Sequence, residues 1–348
     1  MSTTGIPEIT VPDEQVRTRA QQKLDGLVKP LGALGRLEEL AAWLCAAHGS
    51  IPPRELADVR VVVFAGDHGV AASPVSAYPR EVTAAMVRAF STGRSGVNVL
   101  AAQAGARVRA LDIAVDADLD DLPAEVTVHK IRRGSGSIDA ADALAAGEAA
   151  RAFEVGRTVA DEEIDAGADL LIPGDMGIGN TTVAAALVAA MLGLPAEDVV
   201  GTGTGVDDTG RQQKTHVVRA ALGRANSRGG DPLELLSTVG SACSAATAGF
   251  LVQAAVRGVP VVLDGVFSAA AALVAREIAP RAAHWWLAGH RSTEPSQAYA
   301  LKALGLEPIL DLGLRLGEGS GAVQAVSVLR GARAVLAEMG TLAELDLG

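Results

Sequence analysis

Aromatic residues, cysteine and long uncharged apolar runs are all scarce in this 348-residue chain, and each shortage excludes a class of protein. Aromatics make up only 3% although hydrophobic residues reach 49%, so the core must be built from Ala, Val and Leu. Side chains of that size suit helices packed tightly on a parallel sheet. Cys45 and Cys243 are too few for a disulfide framework, which points to a reducing cytoplasm. Residues 1–15 carry acidic groups and prolines with no apolar signal core, and the apolar stretch at residues 251–263 is broken by Arg257 and Pro260, so no membrane span is expected. Positive charge is also short. Thirty Lys and Arg against 41 Asp and Glu leave a net charge of -11, which opposes general affinity for nucleic acid or an anionic membrane. An anionic substrate therefore needs a local pocket lined by N–H groups or a buried cation.

Several catalytic signatures are missing as well. The six histidines, His48, His68, His129, His216, His284 and His290, show neither His-x-His nor His-Glu-x-x-His spacing, so no metal and no metal-borne cofactor is expected. There is no Gly-x-Ser-x-Gly elbow for a hydrolase. No glycine loop ends in Gly-Lys-Ser/Thr, and none has the Gly-x-Gly-x-x-Gly spacing after a strand, which disfavours an NAD-dependent oxidoreductase.

What is present alternates. Residues 59–65, 106–115, 126–131, 169–173, 259–264 and 284–288 read as strands, because they are short apolar runs rich in β-branched residues. Helical spacing runs over residues 13–47, interrupted at 29–36 by Pro30, Gly32 and Gly35, and again over 81–104, 138–166, 181–192, 206–225, 242–256, 267–278 and 322–339. Residues 1–12 read as a loose arm. The alternation predicts an α/β fold, a doubly wound and mostly parallel sheet flanked by helices. A single unit over 1–348 is expected, with a large α/β domain over about residues 50–300. The chain ends, 1–49 and 301–348, would form a small helical subdomain. Ligands of such sheets bind beyond the C-terminal strand ends, where Gly66-Asp67-His68-Gly69, residues 174–180, Asp264-Gly265 and Gly289-His290-Arg291-Ser292 should converge.

Three glycine-rich stretches carry the chemistry. In Gly317-Glu318-Gly319-Ser320-Gly321 one carboxylate stands between glycines ahead of a helix, open to a ligand or merely a solvated turn. Gly174-Asp175-Met176-Gly177-Ile178-Gly179-Asn180 leads into a helix start, which suits a phosphate or a tight turn capped by Asn180 or Thr181. Gly201-Thr202-Gly203-Thr204-Gly205 precedes the helix bearing Lys214, a possible countercharge for a phosphate or an ordinary surface lysine. Asp207 and Asp208 complement a helix dipole, Asp67 bonds loop amides as readily as it pairs with His68, and Cys243 reads as a small core residue.

Together with Lys29-Pro30-Leu31-Gly32-Ala33-Leu34-Gly35-Arg36-Leu37-Glu38, Ala65-Gly66-Asp67-His68-Gly69-Val70 and His290-Arg291-Ser292-Thr293-Glu294, these stretches resemble the nicotinate-nucleotide–dimethylbenzimidazole phosphoribosyltransferase family. The likeness extends from about Lys29 to Met339. It implies transfer of the 5-phosphoribosyl group from nicotinate mononucleotide to a benzimidazole, no cofactor or metal, and a homodimer. By resemblance Glu318 is the catalytic base, Gly177, Gly179 and Lys214 hold the phosphate, and Ser292 and Leu316 line the base or ribose site. Met176, Asn180 and Gly203 complete the expected substrate-binding set. Asp175 falls where glutamate is more usual, and its shorter reach suits orienting water or ribose. Tyr78 and Met86, where relatives can carry serine and glutamine, give the acceptor pocket a more apolar character. Cys243 stands where an acidic residue is more usual. The competing readings are an inactive nucleotide-binding or regulatory protein and, more weakly, an NAD-dependent oxidoreductase.

Overall fold

The computed structural model describes residues 5–225 and 230–345. Six strands form one sheet: β1 (Val59–Gly66), β2 (Ala106–Ala114), β3 (Leu170–Met176), β4 (Val261–Leu263), β5 (Trp286–His290) and β6 (Pro308–Leu310). Every pairing is parallel and the spatial order is β2-β1-β3-β4-β5-β6. The central strands are apolar throughout because both their faces are covered. Val62, Phe64, Leu171, Val261 and Leu263 enter one core, and Val59, Val61, Val63, Leu170, Ile172 and Val262 enter the other.

The helices are α1 (Glu14–Asp25), α2 (Arg36–His48), α3 (Val82–Ser91), α4 (Gly96–Gln103), α5 (Ala124–Thr127), α6 (Glu148–Asp165) and α7 (Asn180–Leu192). They continue as α8 (Ala196–Val199), α9 (Asp208–Ala225), α10 (Pro232–Val239), α11 (Ala242–Val256), α12 (Val266–Ile278), α13 (Pro295–Leu304) and α14 (Ser320–Glu338). The first core collects α6, α7 and α9 to α13, and the second collects α1, α2, α4 and α14. The doubly wound parallel sheet is thus the fold that forms. The two chain ends meet, since α2 packs on α14 and Leu27 bridges to Thr341. Among the described residues no helix is long and apolar enough to cross a membrane.

Small residues set the packing, as the composition required. A Cβ on Gly156 of α6 would overlap the Ala246 carbonyl of α11, and one on Gly249 would overlap the Phe153 carbonyl. The two helices therefore touch backbone to backbone.

Five expectations need correction. Residues 126–131 form no strand: Val126 lies in the short helix α5 and packs into a minor apolar cluster with Ala65 and Val115. The helix expected over 138–166 starts only at Glu148, because Gly147 holds φ +81° and the Leu144 amide is taken by Ser237 O at 3.0 Å. The helix expected over 81–104 is two helices, broken at Gly93 (φ +71°) and restarted by a capping box at Ser95. β6 has no counterpart among the expected strands. The arm over 1–12, described from Gly5 onward, is docked rather than loose: Ile9 is buried and the Trp285 indole donates to Thr10 O at 2.8 Å.

Candidate active site

The loops at the C-terminal strand ends converge as the topology requires. Strand order changes direction on either side of β1, and the cleft lies beyond the ends of β3, β4 and β5, lined by Asp175, Gly265 and His290. Gly177 packs so closely on Gly66 O that a Cβ there would overlap it, and the Ile178 amide donates to Thr83 Oγ1 at 3.2 Å. At the end of β4, Asp264 accepts from the Gly319, Gly321 and Ala322 amides at 3.1, 2.9 and 2.9 Å. One carboxylate thereby satisfies the first turn of α14. His290, at the end of β5, lies against Gly321 with Nε2 3.4 Å from Asp264 Oδ1. Burial alone would lower the His290 pKa, but Asp264, with the Arg291 backbone and Asp311, outweighs it and the net shift is upward.

Glu318 is no exposed turn residue. It is 4% exposed and, among the described residues, the only non-glycine with positive φ, at 66°. That conformation costs on the order of 1–3 kcal/mol and persists only where the surroundings impose it. Here the Glu318 amide donates to Asp175 O at 3.3 Å, the next amide is held by Asp264, and Glu318 Oε2 accepts from the Val97 amide at 3.1 Å. Its pKa is raised, chiefly by burial and further by Asp264, against the Val97 bond.

Asp175 is pushed up to about 7 by burial, with Asp264 and Glu318 adding repulsion and a 2.5 Å bond from Asn180 Nδ2 acting the other way. Three carboxylates thus share one dry rim, compensated by backbone amides on Asp264 and Glu318, by the Asn180 side-chain amide on Asp175 and by His290 beside Asp264.

A cleft opens here between Asp175, Asn180, Thr181, Gly203, Ser292, Glu294, His290, Arg315, Leu316 and Gly317. Of the residues expected from the sequence, Asp175, Asn180, Gly203, Ser292 and Leu316 line it. Lys214 is fully buried and reaches the wall through Thr181, donating to its Oγ1 at 3.0 Å. Burial lowers the Lys214 pKa, and Glu294 acts against that shift. Gly177 and Gly179 lie in the turn behind the wall, with Gly179 at φ +93° as the residue that opens α7. Glu318 stands just behind Gly317, between the cleft and the start of α4. Met176, Tyr78 and Met86 are off the cleft wall. Met176 and Met86 are half-buried against the sheet core, and Tyr78 is 56% exposed on a segment tied to Thr204 by the Ala77 amide at 2.9 Å.

Asp67 and His68 do not form an acid/base pair. Asp67 Oδ2 accepts from the Asp116 amide at 2.8 Å, while burial lowers the His68 pKa to about 4. Cys243 is buried in α11 against Gly66. Among the described residues no group of three or more His, Cys, Asp or Glu is placed to hold a metal ion. Sequence reasoning assigned no substrate-site role to Glu294 or Arg315, offered Thr181 only as a helix cap, and placed Asp264 only in a loop at the rim. The available signal for Asp264 was an acid directly after a buried strand, and for Glu294 its place in the His290–Glu294 stretch.

A phosphoribosyltransferase family model matches residues 9–346. The nicotinate-nucleotide--dimethylbenzimidazole phosphoribosyltransferase of Mycolicibacterium paratuberculosis is 55% identical over 336 residues, covering 97% of this chain and 96% of its own. The protein of the same name from Mycobacterium tuberculosis is 54% identical over 340 residues, covering 98% and 94%. The crystal structure of CobT from Thermus thermophilus superposes with a TM-score of 0.90 at 46% identity, over 95% of this chain and 98% of that one. Neither competing reading, the inactive binder or the oxidoreductase, gains support from these relatives.

Proposed function

The chain belongs to the nicotinate-nucleotide–dimethylbenzimidazole phosphoribosyltransferase family, and from that premise we propose how its residues carry the reaction. The enzyme moves the 5-phosphoribosyl group of nicotinate mononucleotide to a ring nitrogen of 5,6-dimethylbenzimidazole or a related base. Nicotinate leaves and α-ribazole 5′-phosphate forms, a step of cobalamin nucleotide-loop assembly. We also place the protein in the cytoplasm as a homodimer, a reading supported by two buried free thiols and by the exposed Tyr78, Leu312 and Leu316. The chain ends, packed together, act as a smaller unit beside the large α/β unit.

The phosphate docks where Asn180 and Thr181, at the start of α7 beyond the Gly177–Gly179 turn, line the cleft, with the buried Lys214 ammonium behind Thr181. The nicotinate ring nitrogen is already cationic, so the C1′–N bond breaks with its electron pair going to a neutral pyridine ring and no acid is needed. The azole nitrogen attacks C1′ from the opposite face, which inverts the configuration to α. The attacking nitrogen is the unprotonated one, so the proton on the other ring nitrogen must go to a base, and Glu318 takes it before passing it to water. A carboxylate whose pKa is raised by a dry site accepts a proton better than one in water.

The observation that carries this reading is the buried Glu318 carboxylate, held in a left-handed backbone between the cleft and α4. One observation favours a second proton acceptor: Asp175, on the cleft wall, titrates at about 7. Incubation with nicotinate mononucleotide, with and without a panel of benzimidazoles and purines, tests the function. Base-dependent nicotinate release is expected, and its absence across the panel overturns the reading. The pH–rate profiles of Glu318→Gln and Asp175→Asn then identify which carboxylate accepts the proton.

A further inference from the structure

Glu294 is a buried charge in the cleft that the reaction above does not use. It is 3% exposed and occupies the position that opens α13, yet its side chain caps no amide of that helix. Instead Oε1 accepts from the Gly203 amide at 2.7 Å. The carboxylate lies flat on Gly201, where a Cβ would come within 2.6 Å of both oxygens. Among the described residues Oε2 is buried with no hydrogen-bond partner. Lys214 is close enough to interact with this charge but donates its hydrogen bond to Thr181.

A buried carboxylate oxygen without a donor is unfavourable, and a group that supplies a hydrogen removes that penalty. An anion cannot do so. The Gly203 amide, the donor that a glycine loop would offer a phosphate, is already taken by Oε1, and the negative charge beside it repels a phosphate. Gly203 O is occupied as well, by Arg315 Nη1 at 2.8 Å. The Gly203 amide is therefore closed to an anion, while Glu294 Oε2 is open to a neutral donor. A nucleotide anchored by its phosphate beside Asn180 and Thr181 carries such donors on its sugar.

We propose that Glu294 Oε2 accepts a hydrogen bond from a ribose hydroxyl of the nucleotide substrate, making the Glu294–Gly203 wall a reader of ribose rather than of phosphate. This assignment rests on the nucleotide reading above and names which part of the substrate meets which wall. Glu294 contacts substrate, so its removal changes sugar selectivity and not merely turnover.

The test compares nicotinate mononucleotide with its 2′-deoxy and 3′-deoxy analogues, by kcat/KM and by calorimetric binding. A site built to bond a hydroxyl rejects the analogue lacking it, so the wild-type protein should disfavour one analogue by roughly 10- to 100-fold. Glu294→Gln keeps an oxygen for the Gly203 amide and replaces the bare acceptor. The ribose-to-deoxyribose ratio should then fall to about threefold or less, with the inhibition constant of inorganic phosphate unchanged. Wild-type protein that accepts both analogues as well as the parent nucleotide overturns the assignment without any variant. So does a Glu294→Gln protein with an unchanged ratio and tighter phosphate binding, which would make Glu294 a stand-in anion on the Gly203 amide. Wild-type protein that binds no nicotinate mononucleotide at all would instead overturn the functional reading on which this assignment rests.

Discussion

The helical layer formed by α6 and α11 and the rim at the C-terminal strand ends are stabilised in opposite ways. The layer works by leaving side chains out: Gly156 and Gly249 let two helix backbones touch, and alanines fill the space around them. The rim works by holding charge in. Asp175, Asp264 and Glu318 are all buried there, and Glu318 sits at φ 66°. Amides compensate them, three on Asp264, one on Glu318 and the Asn180 side chain on Asp175, with His290 beside Asp264. Close packing gains dispersion and apolar burial without electrostatic strain, whereas a desolvated carboxylate is unfavourable until a proton or a ligand relieves it. The left-handed Glu318 and the carboxylate of Asp175, pushed up to about 7, thus lie together where a proton has to move.

The sharpest way to break that contrast is to neutralise the rim. Glu318→Gln should cut nicotinate release by about 10²- to 10⁴-fold, the range for losing a positioned base. The fold should survive, because a glutamine oxygen still accepts from the Val97 amide. Single-turnover nicotinate release and a thermal melt together check this, and retained turnover would leave Asp175 as the proton acceptor. Asp175→Asn tests the same rim through stability. The folded-state pKa of Asp175 is raised from 3.8 to about 7, so the native state favours the protonated acid. Stability present below the unfolded value is lost as pH rises through the folded one, from about pH 4 to about pH 7. Asparagine removes that loss, so the variant should gain on the order of 2–4 kcal/mol over the wild type near pH 8 and nothing near pH 4. Urea midpoints across that range measure the difference, and a pH-independent difference would show that Asp175 is ionised at little expense.

These two regions also differ in how far they could be read from the chain. The sheet was legible because runs such as Val59–Ala65 are β-branched and buried on both faces, leaving few other options. The helix pair was legible only as composition, since nothing local marks Gly156 and Gly249 as partners. Misreadings came where apolar residues are buried without regular structure. Ile138, Ala143 and Leu144 mimic helical spacing but are held as loop by the left-handed Gly147 and by bonds to residues 237 and 238. β6 escaped notice because Pro308, Ile309 and Leu310 are too few to make a pattern. At the rim, residue types were visible but burial was not. Glu318 is enclosed by Asp264 and Val97, and Glu294 by Gly203, all distant in sequence, so only the fold converts an open glycine-flanked acid into a dry one.

The layer should respond in the opposite sense to the rim. Gly156→Ala places a methyl group on the Ala246 carbonyl and should cost about 1–3 kcal/mol as the helices separate. The surviving folded enzyme should keep its kcat, since no group in the cleft moves. Denaturant midpoints and initial rates on the same preparation test this. A loss of kcat at full stability would mean that the α6–α11 contact positions the rim, and the division of labour would fail.

The smallest effect is expected beside the rim, on the segment where neither buried charge nor close backbone packing operates. Tyr78 is exposed on a loop joined to Thr204, and Met86 is half-buried on α3, the helix whose Thr83 holds the Ile178 amide. Both belong to the segment that the family resemblance assigns to the acceptor base. An aromatic ring and a thioether there favour apolar, methyl-bearing bases through contact area alone, and such contacts discriminate weakly. Exchanging both, Tyr78→Ser with Met86→Gln, should therefore shift the preference between dimethylbenzimidazole and a purine by about tenfold at most. Competition of the two bases in one reaction reads that ratio directly, with stability changed by less than about 1 kcal/mol. A ratio that stays fixed while total turnover falls would remove this segment from the acceptor pocket and place base selection on the cleft wall, at Leu316 and Ser292.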